Sequence, residues 1–192
     1  MRVQRLRRVR WVAAPALLLL LGGVAWGARE LRYVDWQPIS APLAHAPLVI
    51  REDAKGDGRF GSSRSGARRH QGVDIAGTLG EPVAALFSGR VVRAGRHHGY
   101  GLFVQVQHRG GWRSLYAHLQ TIDVREGERI RQGQAIGTVG KTGNARHRWI
   151  TPHLHLELAR KNTIVDPSTM GLALMEPAHH EEDGRPDALG GE

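Results

Sequence analysis

The chain has 192 residues, of which 41% are hydrophobic and 23% charged, a balance typical of a globular domain with a sizeable core and not of a wholly disordered chain. It contains no cysteine, which excludes disulfides, thiolate metal ligands and cysteine nucleophiles. The formal net charge is +9.

The N-terminal residues carry the pattern of a membrane segment. Residues 1–10 hold five arginines and no acidic residue, and the run from Trp11 to Ala28 is uncharged. A helix of that length spans roughly 27 Å, close to the thickness of the hydrocarbon layer, and the arginines place its start in the cytoplasm. We therefore predict a single-pass anchor over residues 1–28 in the inner (cytoplasmic) membrane, with the rest of the chain on the extracytoplasmic (periplasmic) side. The alternative is a cleaved signal peptide, which would leave the protein secreted.

Two further segments are expected to lie outside the folded domain. Residues 29–57 contain three prolines and little periodicity, which predicts a spacer. Residues 171–192 contain six acidic residues and one arginine, which predicts an acidic disordered tail. The domain between them, residues 58–170, is strongly basic, so we expect it to meet a polyanionic surface such as cell wall and not nucleic acid.

Within that domain, short alternating or β-branched runs are broken by glycine, and no long amphipathic helix stands out. This pattern predicts an all-β fold, either an antiparallel sheet or a small barrel. The predicted strands are Pro82–Phe87, Gly89–Ala94, Leu102–Gln107, Trp112–Ala117, Ile122–Val124, Ala135–Val139 and His153–Leu158.

The last of these runs points to a metal site. Read as a strand, it places His153, His155 and Glu157 on one face and three leucines on the other. His70 and Asp74 lie four residues apart elsewhere, and a further histidine, His118, stands in an apolar frame. Two imidazoles, one carboxylate and an open fourth position are the ligand set of a catalytic zinc. Spacing alone leaves open whether His153 or His155 binds the metal.

Taken in order, several motifs resemble the lysostaphin/LytM-type zinc metallopeptidases, which cut peptide bonds in peptidoglycan. The resemblance covers about residues 59–167. It rests on Arg59-Phe60-Gly61, His70–Ala76, Gly89–Val92, Tyr100-Gly101, Tyr116–Leu119, Gly133-Gln134, Thr142-Gly143, Pro152–His155 and Asp166-Pro167.

The resemblance implies a LytM-type peptidase fold behind the N-terminal transmembrane helix, and one Zn²⁺ per site. Its metal ligands are His70, Asp74 and His155, and its catalytic histidines are His118 and His153. The implied activity is that of a membrane-anchored zinc metalloendopeptidase that hydrolyses peptide cross-links or bridges of peptidoglycan. The alternative is a non-catalytic scaffold of the same fold that binds the wall or activates an amidase, although such relatives usually lose metal ligands. Peptidoglycan peptides, the membrane and an unidentified regulatory protein are the expected partners.

Two departures from the family pattern bear on substrate and regulation. Asn144–Thr151 is an insertion expected to line the substrate groove, where Arg146 and Arg148 would make the wall more basic and Trp149 would cover apolar surface; an exposed loop tip is the alternative. No asparagine precedes Asn144, so the latch that keeps some relatives latent is missing, with Asp53 or Asp57 as substitutes in principle. His108 and Glu157 are expected to support the site or the packing and not to bind metal.

Overall fold

The computed structural model describes residues 23, 24, 27 and 30–177. Of the predicted membrane segment, only Gly23, Val24 and Gly27 are described, and all three are helical. Within the described part of the chain, no helix has the length and apolar character needed to cross a bilayer. The predicted anchor and most of the predicted acidic tail therefore fall outside the described residues.

The described residues form strands joined by short turns. The strands are β1 (Leu48–Val49), β2 (Glu52–Asp53), β3 (Gly56–Asp57), β4 (Val73–Ala76), β5 (Pro82–Ala84), β6 (Gly89–His97), β7 (Gly101–His108), β8 (Trp112–Ile122), β9 (Arg129–Ile130), β10 (Ala135–Val139), β11 (His153–Arg160), β12 (Thr163–Val165) and β13 (Leu174–Met175). Three single 3₁₀ turns cover Arg109–Gly111, Gly143–Arg146 and Pro167–Met170.

Nine of these strands form one antiparallel sheet. Its main path runs β12-β11-β8-β7-β6-β9; β4 pairs with β11, and β10 pairs with both β8 and β5. The predicted all-β, antiparallel fold is confirmed. β7 extends one residue beyond the predicted run at each end, and β8 continues from Trp112 to Ile122 without a break. The prediction of a separate strand over Ile122–Val124 is therefore wrong, because Ile122 ends β8 and the next two residues form no strand.

The core lies on one face of this sheet and the functional residues on the other. Leu154, Leu156 and Leu158 of β11 are fully buried in the main hydrophobic cluster. The intervening His153, His155 and Glu157 line a cleft of about 670 Å³. The alternation predicted for this strand is confirmed.

Both segments that flank residues 58–170 are partly packed onto the domain. Leu43 and Leu48 upstream and Leu172 downstream are each at most 5% exposed, and β1 pairs in parallel with β13. Burying a leucine side chain stabilises a fold by about 1.5–3 kcal/mol. A solvated spacer or tail would not gain this stabilisation. The packed unit therefore extends beyond the boundaries expected from the sequence on both sides.

The upstream segment also covers the outer edge of β4. The Arg51 amide donates to the Asp74 carbonyl, and the Asp74 amide donates to the Gly58 carbonyl, both at 2.8 Å. Ile50 forms a further bridge to Ile75. A Cβ on Gly58 would lie 2.9 Å from the Asp74 Cβ, so only glycine permits this approach. As a result β4 has hydrogen-bonding partners on both sides, β11 on one and residues 50–58 on the other.

Candidate metal centre

Three buried side chains converge at the start of the β4–β11 pair. Asp74 and His155 stand directly opposite each other in that pair, and His70 lies just before β4. Asp74 Oδ1 lies 3.1 Å from His70 Nε2 and 2.8 Å from His155 Nδ1, and the two nitrogens are 3.0 Å apart. The structure thus brings together the three side chains expected to bind the metal, as a group of a size that can hold an ion.

A close backbone approach makes this convergence possible. A Cβ on Gly72 would lie 2.4 Å from the Leu156 carbonyl oxygen and 3.0 Å from Cε1 of His155. Any other residue would push the chain between His70 and Asp74 away from β11. The glycine of the His-x-Gly-x-Asp segment is therefore part of the geometry of the site.

The hydrogen bonds of the two imidazoles leave their inner nitrogens free for an ion. His70 donates from Nδ1 to the Arg59 carbonyl at 2.8 Å, and His155 donates from Nε2 to Glu157 Oε1 at 3.1 Å. In these tautomers the two inner nitrogens and Asp74 Oδ1 are three acceptors about 3 Å apart, a set that needs a cation or a proton between its members. Ligand atoms of a tetrahedral zinc lie about 3.3 Å apart, given metal–ligand bonds of about 2.0 Å. The donor set therefore fits zinc.

The electrostatics of the cluster agree with that interpretation. Burial opposes ionisation of Asp74, but hydrogen bonds with His155 and His70 outweigh it and hold the pKa of Asp74 well below its usual range. Burial likewise opposes protonation of His155, yet its contacts with Asp74 and Glu157 raise the pKa of His155 to about 9. The site thus favours positive charge at its centre.

Glu157 holds His155 and Tyr100 in place beside the cluster. Its Oε1 accepts from His155 Nε2 and also from the Tyr100 hydroxyl, at 2.7 Å. The Tyr100 ring stacks on His155 with the centroids 5.8 Å apart. A carboxylate that accepts the outer N–H of a ligating histidine fixes its tautomer and orientation. Glu157 is not among the residues that group around the candidate ion position.

Arg51 holds the Asp74 carboxylate in a similar way. Its Nη2 donates to Asp74 Oδ2 at 2.9 Å, and its Nη1 forms an ion pair with Asp53 Oδ2 at 2.6 Å. Asp53 Oδ2 in turn accepts from the amide and hydroxyl of Thr151. Asp53 therefore ties the upstream segment to the insertion. Neither Asp53 nor Asp57, which pairs with Arg59, belongs to the metal cluster, so the structure gives no support to either as a latch.

His118 reaches the cleft from an irregular point in β8. Leu102 pairs with Leu119 and Val104 with Tyr116, so two residues of β8, Ala117 and His118, stand opposite one residue of β7. His118 adopts φ 61°, a left-handed conformation that costs a non-glycine residue roughly 1 kcal/mol. Such bulges re-aim a side chain beside functional sites. Here the bulge carries His118 to within 5.7 Å of His155, ring centre to ring centre.

The two histidines that the resemblance makes catalytic lie side by side. The rings of His118 and His153 meet edge to face with centroids 4.9 Å apart. His118 donates from Nδ1 to the Thr142 carbonyl at 2.9 Å, and His153 donates from Nδ1 to the Thr151 carbonyl at 2.7 Å. Both Nε2 atoms therefore carry a lone pair. Burial, together with nearby His153 and His155, lowers the pKa of His118 to about 3, and burial also lowers the pKa of His153.

The insertion contributes to the cleft through different residues from those expected. Asn144, Ala145 and Ile150 line it, whereas Arg146, Arg148 and Trp149 are not among its lining residues. Trp149 is 55% exposed and stacks under the Arg148 guanidinium at 4.2 Å. The prediction that Arg146 and Arg148 make the groove wall more basic is therefore wrong. This part of the loop faces solvent, as in the alternative of an exposed loop tip.

The sequence did not indicate two residues that support the site. Arg51 directly follows the apolar run Leu48-Val49-Ile50, and a charge so placed is the only local indication that it would be buried. Tyr100 belongs to a quoted motif, but nothing in the sequence links it to Glu157, 57 residues later. His108 does take the expected packing role, with Nε2 at 2.7 Å from Ser114 Oγ and Nδ1 at 3.1 Å from the Ser88 carbonyl oxygen.

Comparison with known proteins gives the family. A family model described as Peptidase family M23 matches residues 68–167, more than half of the chain. The chain belongs to peptidase family M23. Within this LytM/lysostaphin-type family, the catalytic domain of the antimicrobial peptidase lysostaphin from Staphylococcus simulans superposes with a TM-score of 0.52 at 31% identity, over 61% of this chain and 90% of that one.

Curated relatives of two kinds are similar to the chain. It is 39% identical over 116 residues to the murein hydrolase activator NlpD of Salmonella dublin, covering 60% of this chain and 29% of the relative. It is also 39% identical over 109 residues to the DD-carboxypeptidase/endopeptidase Mpg of Neisseria meningitidis serogroup B, which covers 57% of this chain and 24% of the relative. The chain thus spans less than about a third of the length of these relatives.

Proposed function

We propose that the chain is a zinc-dependent metalloendopeptidase that hydrolyses peptide cross-links or bridges of bacterial peptidoglycan. The observation that carries this proposal is the convergence of His70, Asp74 and His155 beside two further imidazoles in one cleft. Its similarity to the Mpg peptidase and to the lysostaphin catalytic domain supports the same reaction class.

In this proposal His70 Nε2, Asp74 Oδ1 and His155 Nδ1 hold the ion. When bound by such ligands, zinc acts as a Lewis acid toward a peptide carbonyl and lowers the pKa of water to about 7. Glu157 and Arg51 keep the ligand atoms aimed at one point, through His155 Nε2 and Asp74 Oδ2 respectively. This preorganisation removes the need to order the ligands when substrate arrives.

His118 and His153 supply the proton transfers. Both imidazoles are neutral at neutral pH, because burial lowers the pKa of each, and both have Nε2 unprotonated. Either Nε2 is therefore able to accept the proton of an attacking water molecule and return it to the leaving amine. The Thr142 and Thr151 carbonyls hold the rings in the tautomer that this exchange requires.

The location of this activity follows from the N-terminal sequence. We place residues 1–28 as a single-pass membrane anchor, with the M23 domain on the extracytoplasmic side, where peptidoglycan lies. The arginines of residues 1–10 and the uncharged run that follows support this orientation.

A second function is favoured by one observation, the similarity to a murein hydrolase activator. In that case the domain would bind the wall or an amidase without cutting peptide bonds itself. The complete set of five site residues favours the peptidase, since a scaffold has no need for a metal set flanked by two oriented imidazoles.

One experiment separates the two functions. The full-length chain in detergent is incubated with purified sacculi, alone or with a peptidoglycan amidase, and the released muropeptides are identified by mass spectrometry. The peptidase predicts peptide-bond cleavage by the chain alone, lost with chelator, restored by zinc and absent in His155→Ala. Release only in the presence of the amidase, and equally by His155→Ala, would establish the activator instead.

A further inference from the structure

The two walls of the cleft differ sharply in charge. One wall is built by residues 55–69: the Arg64 amide donates to the Arg68 carbonyl, and a Cβ on Gly56 would lie 3.8 Å from Arg64 Nη1. The other is built by residues 97–100 and 144–145, joined by a hydrogen bond from the Asn144 amide to the Gly99 carbonyl. The first wall contributes Lys55, Arg64, Arg68 and Arg69 to the cleft. The second contributes no Lys, Arg, Asp or Glu.

Three of these cations have no acidic partner among the residues that the structure describes. Arg64 lies 3.5 Å from Asp74 Oδ2, but Lys55, Arg68 and Arg69 form no ion pair with any acidic residue that the structure describes. All three are exposed. The contacts of the two arginines are with neutral oxygens: Arg68 donates to the Ser65 carbonyl and hydroxyl, and Arg69 Nη1 donates to the Gly61 carbonyl. Such contacts orient a guanidinium without reducing its charge.

The carboxylates of the cleft do not neutralise the positive charge of this wall. Asp74 is held by Arg51 and faces the metal position, and Glu157 is engaged by His155 and Tyr100. A neutral peptide crossing the cleft would leave the three cations facing water. A peptide with a free carboxylate on that side would form charge-assisted hydrogen bonds with them, which arginine makes in bidentate fashion.

We propose that the wall formed by Lys55, Arg68 and Arg69 binds a free carboxylate of the substrate, so that the chain acts on acidic stem peptides and not on neutral oligoglycine bridges. This inference rests on the proposed function and names the substrate class of the same cleft.

The test compares two forms of one substrate. Disaccharide-peptide dimers are purified from sacculi with their carboxylates free, and a second batch is amidated with carbodiimide and ammonia. Cleavage by the zinc-loaded full-length chain gives kcat and KM, and fluorescence anisotropy with labelled dimers gives dissociation constants. We expect amidation to raise KM and the dissociation constant about 10-fold or more, with kcat little changed. Salt at 0.5 M should reduce this preference, because exposed charges are screened.

Two double variants assign the effect to the wall. Arg68→Gln with Arg69→Gln should weaken binding of the free-acid dimer about 10-fold and leave the amidated dimer unaffected. Arg96→Gln with Arg125→Gln removes the same charge from exposed sites outside the cleft and should preserve the preference. Equal KM and equal binding for both dimers, or a preference that survives in the Arg68/Arg69 variant, would overturn the inference.

The outcomes for this inference and for the proposed function are distinguishable. Cleavage without preference leaves the hydrolase intact and removes the carboxylate site. Selective binding of the free-acid dimer without cleavage supports the carboxylate site and contradicts the hydrolase. Absence of both cleavage and binding contradicts both.

Discussion

Arg51 Nη2 donates to Asp74 Oδ2 at 2.9 Å, while Oδ1 of the same carboxylate faces His70 and His155. The two oxygens of Asp74 are thus divided between a buried cation and the candidate metal position. Arg51 lies 17 residues upstream of the region that matches the family model, which begins at residue 68.

We expect Arg51→Met to destabilise the metal-free protein by about 3–5 kcal/mol, because it removes the buried cation that is hydrogen-bonded to Asp74 Oδ2. The measurement is urea unfolding in the presence of chelator. Arg96→Met, at an exposed position of β6, is the matched control and should change stability by less than about 0.5 kcal/mol. Equal effects of the two substitutions would show that the Arg51–Asp74 pair does not stabilise the domain.

Glu157→Gln should weaken zinc binding about 10- to 100-fold, since the charged acceptor of the His155 Nε2 proton is lost while the shape is kept. Competition against a chromophoric chelator measures the dissociation constant directly, independently of activity. Tyr100→Phe removes the hydroxyl that donates to Glu157 but leaves the carboxylate in place, so its effect should be smaller. An unchanged zinc affinity in Glu157→Gln would contradict the supporting role of this carboxylate.

His118→Ala should lower kcat on sacculi or isolated dimers about 10²- to 10⁴-fold, the usual contribution of a positioned acid–base group. Zinc content should stay at one ion per chain, because His118 is not one of the three side chains in the metal cluster. His98→Ala, an exposed histidine outside the cleft lining, is the control. Loss of zinc together with activity would instead place His118 among the ligands.

His108 makes stability depend on pH. Burial lowers the pKa of His108 below its usual value of 6.5, so the unfolded chain takes up a proton at a higher pH than the folded one. Stability contributed by the neutral ring is therefore full above about pH 6.5 and is lost as the pH falls toward the folded pKa. His108→Gln should lose less stability than the parent between pH 7.5 and 5.5, as measured by urea unfolding. His98→Gln should behave like the parent.

The face on which the histidines of β11 lie was predictable because its pattern is local in sequence. The period-2 alternation of His153–Leu158 fixes two imidazoles on the polar face of a strand, and the structure agrees. The contacts that hold these residues are not local. The partner of Asp74 Oδ2 lies 23 residues away, in a proline-containing segment with no periodicity, and the bulge at His118 depends on how β8 pairs with β7.

The limits of the packed unit were hidden for a related reason. Leu172 and Leu174 stand in a segment whose overall composition is acidic and rich in turn residues, so composition indicates disorder. Leu174 pairs with Leu48 and Met175 with Val49, each more than 120 residues away in sequence. Both segments are therefore ordered by the tertiary pairing of β1 with β13. Window averages of composition do not detect such long-range pairs.

The hydrogen bonds between residues 50–58 and β4 have a consequence beyond the metal site. A chain trimmed to the family boundaries, residues 68–167, would leave the outer backbone groups of β4 unpaired beside an apolar core. Open strand edges of this kind pair with other molecules and promote aggregation. The upstream segment therefore protects the edge of β4 from pairing with other molecules and also supports Asp74. We expect soluble fragments of this domain to begin before Leu43.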